Sequence, residues 1–193
     1  MTLTQAAFGT DTILKKASLV LAGSLLIAIA AQIKVPMWPV PLSLQTLAIL
    51  GIALAFGARM GAITVLAYLA QGLAGLPVFA SFGSGLAYFA GPTAGFLVGF
   101  VGMAYVAGLF AERSRSFGVM LLGAVIASAL LYVPGLAWPL GAASVFGIDA
   151  GWAGLSLSSV WSGFAAPFII GDVIKSVLAA LIVAGGWTAL AKR

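Results

Sequence analysis

The sequence has no cysteine and no histidine among its 193 residues, and it also has no asparagine. The absence of cysteine excludes disulfides and thiol redox chemistry, and the absence of both cysteine and histidine removes the usual zinc ligands. The lack of histidine removes the commonest acid–base catalyst, and the lack of asparagine removes N-glycosylation. We therefore expect no catalytic residues, no metal site and no resident cofactor, so the chain is not predicted to be an enzyme.

Charge is also scarce, because only 7% of the residues are charged whereas 63% are hydrophobic. Uniformly apolar segments have no polar face to present to water. The net charge of +5 comes from basic residues that stand singly or in pairs, without the basic stripe that a nucleic-acid partner requires. These features predict one all-α integral membrane domain, residues 1–193, with lipid around it.

A transmembrane helix needs about 20 apolar residues, or fewer where protein shelters its ends. Six stretches qualify, and the predicted spans are 17–33, 42–57, 60–73, 93–110, 117–132 and 166–191. The first resembles a signal peptide in its charge order, but every later segment needs the membrane too, so it is predicted to be retained. The Gly-rich stretch 72–91 is predicted to be a long loop or re-entrant segment, and 141–163 an outer loop that can carry a short surface helix.

The basic residues predict the orientation, because lysine and arginine concentrate in cytoplasmic loops. With six spans, one side of the membrane receives Lys15, Lys16, Arg59, Arg113, Arg115, Lys192 and Arg193. Both termini are therefore predicted to be cytoplasmic. The outer side then receives four tryptophans, Trp38, Trp138, Trp152 and Trp161. They form an interfacial belt, or line a pocket, and for Trp38 and Trp161 both interpretations stay open.

Asp172 and Lys175 are an ionisable pair within the sixth predicted span. A charge deep in a membrane helix costs about 2.5–3.5 kcal/mol on insertion scales, so it is expected to face away from lipid and to have a partner. The i, i+3 spacing puts both side chains on one face. They form a structural ion pair, or the lysine reaches to the membrane surface, or together they bind a polar ligand, which we favour.

Two further segments carry polar or small groups near the outer side. Gln45 and Thr46 follow the proline-rich joint, and they either bond a neighbouring helix or contact a ligand. The loop 81–85 (SFGSG) offers backbone groups for close approach, and Phe79, Tyr88 and Phe89 provide aromatic surfaces nearby. The loop is not a dinucleotide-binding fingerprint, because its third glycine is missing and no strand precedes it.

Small residues recur at a spacing of four in the first span, as Ser18 with Ala22 and Ser24 with Ala28. This spacing lets another helix pack closely, either from a partner subunit or from the same bundle. The chain has no Walker-type nucleotide-binding motif. Any ATP-driven step would therefore need another protein.

The order of these motifs resembles the BioY family, the biotin-specific S components (substrate-capture subunits) of energy-coupling-factor (ECF) vitamin transporters. The resemblance covers nearly the whole chain and includes VPMWPVP at 35–41, LQT at 44–46, GLPVF at 75–79, GPTAG at 91–95 and GDVIK at 171–175. It implies a six-helix protein of the bacterial cytoplasmic (inner) membrane that binds biotin near its outer surface. It also implies a coupling transmembrane protein and two ABC-type ATPases as partners, with delivery by toppling of the whole subunit.

The resemblance also implies the site residues. Asp172, Lys175 and Gln45 match the family's polar contacts to biotin, and the segment from Ser81 to Tyr88 matches its binding loop. Some members have an asparagine in this loop, at the position that aligns with Gly83. Here the adjacent Ser84 or backbone groups are expected to replace that contact.

The chemistry of biotin is compatible with these side chains. Its ureido ring has two N–H donors and a carbonyl, its middle is apolar, and its tail ends in a carboxylate. Asp172 suits the N–H groups and Lys175 suits either oxygen site. The predicted aromatic walls are Trp38, Phe79, Tyr88 or Trp161.

Two alternatives differ in class. The first is a solitary biotin transporter or facilitator that works without ATPases. The second is a membrane enzyme or structural bundle in which Asp172 and Lys175 only pair with each other. The lack of histidine and cysteine argues against its enzymatic form.

Overall fold

Four long helices dominate the computed structural model, which describes residues 2–9 and 12–191. They are α2 (Ile13–Gln32), α6 (Ala94–Arg113), α7 (Phe117–Ala137) and α10 (Ile169–Ala191). Each is long and apolar enough to cross a membrane. The protein is therefore a mostly helical bundle with several helices that are suited to cross a membrane. Lys192 and Arg193, which entered the charge prediction, lie outside the described residues.

Two shorter helices fill the second and third predicted spans. They are α3 (Gln45–Phe56) and α4 (Ala58–Leu73), of 12 and 16 residues. At about 1.5 Å per residue, α3 is only about 18 Å long, which is shorter than the hydrocarbon layer. In the described part of the chain four helices meet the length and hydropathy of a span, so the six-span count and the cytoplasmic termini stay predictions.

The joint between α2 and α3 corrects the all-α prediction. Strands β1 (Lys34–Val35) and β2 (Leu42–Ser43) form a short antiparallel pair, with Lys34 opposite Ser43 and Val35 opposite Leu42. The proline-rich residues between them close this hairpin, because proline cannot continue a helix. As a result α3 begins at Gln45, three residues after the predicted start of the span.

The remaining short elements lie at the ends of the bundle. Helix α1 (Leu3–Phe8) precedes α2, and a 3₁₀ turn (Ala80–Phe82) and α5 (Gly85–Phe89) lie between α4 and α6. After α7 come a π-helical turn (Trp138–Ala142), α8 (Ala143–Val145) and α9 (Leu157–Phe164). The segment 72–91, predicted to be a loop or a re-entrant segment, thus contains a 3₁₀ turn and the short helix α5, and the segment 141–163 carries α8 and most of α9.

Helix α6 is at the centre and packs on α7, α3 and α4. Glycine permits this close packing, since a Cβ on Gly95 would lie 2.2 Å from the carbonyl oxygen of Pro134. Helix α7 continues through Pro134 to Ala137, five residues beyond the predicted end of the fifth span at residue 132. The interface with α6 holds the helix together at the point where proline removes a backbone donor.

The two ends of the bundle are distinguished by their connections. Helix α1 packs against α10, where Leu3 lies beside Gly186. Glu112, at the end of α6, reaches the start of α4. We call this end the basic end of the bundle. It contains α1, the starts of α2, α4 and α7, and the ends of α3, α6 and α10. The β-hairpin and the 72–91 loop lie at the opposite end, which we call the loop end.

Candidate functional site

Asp172 and Lys175 lie in the first half of α10 and face the interior of the bundle. They are only 9% and 7% exposed, although neighbouring residues such as Val173 and Ile174 are turned outward. Lys175 Nζ lies 3.3 Å from Asp172 Oδ1. The i, i+3 spacing thus produces a local ion pair, and burial removes most of the water that would weaken it.

Helices α3 and α7 supply further partners for this pair. The Tyr132 hydroxyl of α7 donates to Asp172 Oδ2 at 2.5 Å, and Lys175 Nζ donates to Thr46 Oγ1 of α3 at 3.0 Å. Both carboxylate oxygens therefore accept a hydrogen bond. The ammonium group has three donors, and two of them are used, so one remains for a ligand.

An internal cavity of about 70 Å³ opens beside the ion pair. Its wall combines polar groups with aromatic and aliphatic ones. The lining residues are Val40, Pro41, Leu42, Ser43, Gln45, Thr46, Ala80, Tyr88, Thr93, Phe96, Leu97, Phe100, Leu131, Tyr132, Phe168, Asp172 and Lys175. An apolar pocket with a few convergent polar groups is the usual form of a small-molecule site.

Gln45 is a buried polar group of this wall, 5% exposed. Its Nε2 donates to the Tyr68 hydroxyl at 2.8 Å, and that hydroxyl donates to the Val78 carbonyl at 3.1 Å. This chain of bonds links α3, α4 and the loop that follows α4. Because the amide nitrogen is bound to Tyr68, the Gln45 carbonyl oxygen is the atom left to accept from a ligand.

Phe79 lies beneath the cavity and does not line it. Its ring is fully buried, stacks on Tyr88 with centroids 4.8 Å apart, and meets the edge of Tyr68. Gly72 leaves room for it, since a Cβ there would lie 2.0 Å from the ring. Phe79 therefore supports Tyr88, which faces the cavity itself.

Tyr88 also explains why glycine stands at position 83. A Cβ on Gly83 would lie 2.3 Å from the Tyr88 ring, so a side chain there would displace the ring from its place. Ser84 is half-buried next to it but lies outside the cavity lining. Burial raises the pKa of the Tyr88 hydroxyl, which keeps this group protonated and able to donate at neutral pH.

The loop that carries these residues is attached to the end of α2. Gln32 Nε2 donates to the Phe79 carbonyl at 2.9 Å, and Gln32 Oε1 accepts from the Phe82 amide at 3.1 Å. Lys34 also donates to the Ser81 hydroxyl. Ser81 and Phe82 have φ values of 60° and 57°, a conformation that non-glycine residues adopt only when their surroundings hold them.

The other predicted site residues lie elsewhere. Trp38 is 80% exposed and, like Trp161, lies outside the lining of this cavity. Ser18 and Ala22 are on the outer face of α2. Ser24 and Ala28 are 1% and 8% exposed, and Gln71 donates to the Ser24 hydroxyl. Of the two interpretations of the small-residue spacing, packing within this bundle applies to Ser24 and Ala28.

Several lining residues were not singled out from the sequence. Tyr132 is the clearest, and the only available signal was a phenol within a predicted span, close to its outer end. Phe96 and Phe100 lie one helical turn apart on α6, a spacing that any apolar helix shows by chance. Within residues 2–9 and 12–191, no group of three His, Cys, Asp or Glu residues is close enough to hold a metal ion.

With this geometry established, three comparisons with known proteins agree on a family. The sequence model described as "BioY family" matches residues 3–192. A protein named biotin transporter BioY from Thermotoga maritima is 36% identical over 157 residues, which cover 81% of this chain and 86% of that protein. Another of that name, from Rhizobium etli, is 39% identical over 146 residues, which cover 75% and 76%.

A solved structure has the same fold. It is described as the S-component for biotin from an ECF-type ABC transporter, and it is 25% identical to this chain. The superposition covers 95% of this chain and 94% of that one, with a TM-score of 0.74.

Proposed function

Because the chain belongs to the BioY family, we propose that it captures biotin and takes it up across the membrane as the S component of an ECF-type transporter. The observation that supports this most strongly is the cavity beside the buried Asp172–Lys175 pair, with Tyr132, Thr46 and Gln45 around it. Four helices of this chain are long and apolar enough to cross a membrane. The chain also shares its fold with a structure described as an S-component for biotin, and both findings support transport rather than enzymatic chemistry.

The wall of the cavity matches the polar pattern of biotin. We assign the ureido N–H groups to Asp172 and to the Gln45 carbonyl oxygen, and an oxygen of the ligand to the remaining donor of Lys175. Phe96, Phe100 and Tyr88 would cover the apolar middle. In such a water-poor site an unmatched polar group costs about 1–3 kcal/mol, which favours biotin over analogues that lack the ureido pattern.

Capture requires the cavity to widen. Its volume of about 70 Å³ holds a few water molecules, whereas ligand pockets measure about 300–1,000 Å³. Two walls of the cavity are not packed helices, the hairpin segment 40–43 and the loop with Ala80 and Tyr88, and we assign the movement to the loop. Entry of biotin is therefore expected to displace this loop, and closure over the ligand to retain it.

The proposed membrane arrangement has six spans, with both termini in the cytoplasm of a bacterial cell. Helices α3 and α4 would cross as short spans whose ends are sheltered by the rest of the bundle. The partners would be a coupling transmembrane protein and two ABC-type ATPases. Ser18 and Ala22 on the outer face of α2 remain candidates for contact with the coupling protein.

Isothermal titration with biotin tests the ligand and the site together. We expect Asp172→Ala and Asp172→Asn to weaken binding about 10- to 100-fold, since a hydrogen bond to a charged group contributes about 1.5–3 kcal/mol. Asp149→Asn, on an exposed loop, is the matched control, and thiamine is the control ligand. No heat with biotin in folded wild-type protein would refute the ligand, and equal binding by the Asp172 variants would refute the site.

Co-purification tests the coupled mode. We expect the full chain, expressed with the ATPase and coupling subunits of an ECF transporter, to be recovered in one complex with them. Uptake of biotin that is unchanged when the ATPase subunits are deleted would instead establish the solitary transporter.

A further inference from the structure

A second cavity, of about 390 Å³, lies at the basic end of the bundle, far from the biotin site. We call it the basic-end groove. Its lining combines three polar residues of the N-terminal segment, two cations, one acid and four apolar side chains. They are Thr2, Thr4, Gln5, Lys16, Leu19, Phe56, Arg59, Met60, Ile63 and Glu112.

The polar wall of the groove is a built part of the fold. Thr2 and Gln5 cap α1 reciprocally, and Thr4 Oγ1 donates to the Ala55 carbonyl of α3 at 3.3 Å. Thr2 and Thr4 are both buried. These bonds hold α1 across the end of α3, so the two buried threonines give the groove a polar side that is fixed by the fold.

The single acid of the groove is already used. Glu112 Oε1 accepts from the Ala58 amide at 2.8 Å, which caps the start of α4. Lys16 and Arg59 are different, because within residues 2–9 and 12–191 neither has an ion-pair or hydrogen-bond partner for its side-chain nitrogens. Two unmatched cations thus border one cavity, and the chemistry that fits them is an anion with several acceptor oxygens.

The remaining wall is apolar and continues towards the lipid-facing surface. Leu19 of α2 and Ile63 of α4 line the groove. Two turns further along the same face of α2, Leu26 is exposed, and Leu66 is exposed on α4. A molecule with an anionic head and a hydrocarbon tail fits both the basic and the apolar part of the groove. Its head would contact Lys16 and Arg59, and its tail would lie along α2 and α4.

We propose that the basic-end groove binds the phosphate headgroup of one anionic phospholipid, with Lys16 and Arg59 as its ligands and the α2–α4 surface against its acyl chains. The site is separate from biotin capture and does not depend on the ligand assigned above. A soluble phosphate ester shares the headgroup chemistry, so the experiment has to separate the two sources.

Native mass spectrometry of the delipidated full-length protein provides that experiment. The probes are phosphatidylglycerol, phosphatidylcholine with matched acyl chains, and glycerol 3-phosphate. We expect one phosphatidylglycerol to be retained in preference to phosphatidylcholine, and glycerol 3-phosphate to compete weakly. Lys16→Gln and Arg59→Gln should each lower the retention about fivefold, the effect of one cation near an anionic lipid.

Arg113→Gln is the matched control, because Arg113 lies at the same end of the bundle but outside the groove. It removes the same charge and should leave the retention within about twofold. Equal retention of the two lipids, or an equal loss in Arg113→Gln, would overturn the proposal in favour of general attraction to the basic end. Glycerol 3-phosphate that binds as well as the lipid would overturn the lipid assignment. An unchanged helical circular dichroism spectrum and gel-filtration profile show that each variant is folded.

Discussion

The carboxylate of Asp172 receives a donor at each oxygen, from Tyr132 at Oδ2 and from Lys175 at Oδ1. These bonds fix its orientation from two different helices, so the free protein already has the acceptor geometry that a ligand requires. Such preorganisation raises affinity because less side-chain ordering is left for the moment of binding. At the scale of the residue, the site therefore depends on groups that touch Asp172 as well as on Asp172 itself.

Replacement of Tyr132 by phenylalanine tests this dependence. The variant keeps the ring that packs against Phe96 and removes only the donor to Asp172. We expect biotin to bind about 3- to 10-fold more weakly, because the ligand senses through the orientation of Asp172 only part of the about 1.5–3 kcal/mol that a hydrogen bond to a charged group contributes. Titration calorimetry measures the change, with Tyr105→Phe on the exposed face of α6 as control. Equal affinities of Tyr132→Phe and wild type would show that the orientation of Asp172 is set without this bond.

At the scale of the element, the loop from Leu76 to Thr93 is attached to the rest of the protein by side-chain hydrogen bonds from Gln32, Lys34, Tyr68 and Trp138. Gln32 holds two of its backbone groups, and Phe79 is inserted beneath it. A loop that is held by individual side-chain bonds opens locally at a lower free energy than a packed helix with its continuous backbone hydrogen bonds. Gln32 is therefore expected to influence how long a ligand stays, although it does not line the cavity.

Gln32→Ala should increase the dissociation rate of biotin several-fold, because it removes two hydrogen bonds, each of which contributes about 0.5–1.5 kcal/mol. Stopped-flow or filter-binding chase experiments measure this rate. Gln71→Ala is the control, since Gln71 makes its bond to Ser24 away from the loop. A larger effect of Gln71→Ala than of Gln32→Ala would contradict a role for Gln32 in holding the loop closed.

Substitution of Gly83 tests the packing within the same loop. Gly83→Ala puts a Cβ against the Tyr88 ring, and overpacking of this kind costs about 1–3 kcal/mol. Biotin affinity should fall, and it should fall much less when the same change is made in a Tyr88→Ala background. Gly102→Ala, where no atom lies within 4 Å of the new Cβ, is the control. Equal losses in both backgrounds would mean that the two residues act independently.

At the scale of the whole molecule, membrane topology is open to direct measurement because the chain has no cysteine. Single cysteines at Arg59, Ser116 and Ser156 can be labelled in intact cells with a membrane-impermeant maleimide. Six spans predict labelling at Ser156 and protection at Ser116 and Arg59 until the cells are lysed. Labelling of the Arg59 position from outside, with Ser116 protected, would show that α3 and α4 do not cross.

The sequence predicted the parts that depend on composition and local spacing. The membrane character follows from the rarity of charge, and the contact between Asp172 and Lys175 follows from their position one turn apart. The contact with Tyr132 was not predictable, because it depends on the rotation of α7 against α10. For the same reason the spacing of Ser24 and Ala28 left two interpretations open, since periodicity alone does not distinguish a face turned to a helix of the same bundle from one turned to a separate subunit.

The location of both charged residues on one helix also bears on how the protein is made. Because Asp172 and Lys175 are three residues apart, their ion pair can form as soon as this turn of α10 is helical, before any other helix packs against it. An isolated charge in a membrane helix opposes insertion, by up to about 2.5–3.5 kcal/mol at the helix centre on insertion scales and by less towards its ends. A neighbouring opposite charge lowers that cost, so the last helix can leave the translocon as an electrically neutral segment and acquire its contacts with Tyr132 and Thr46 during later assembly.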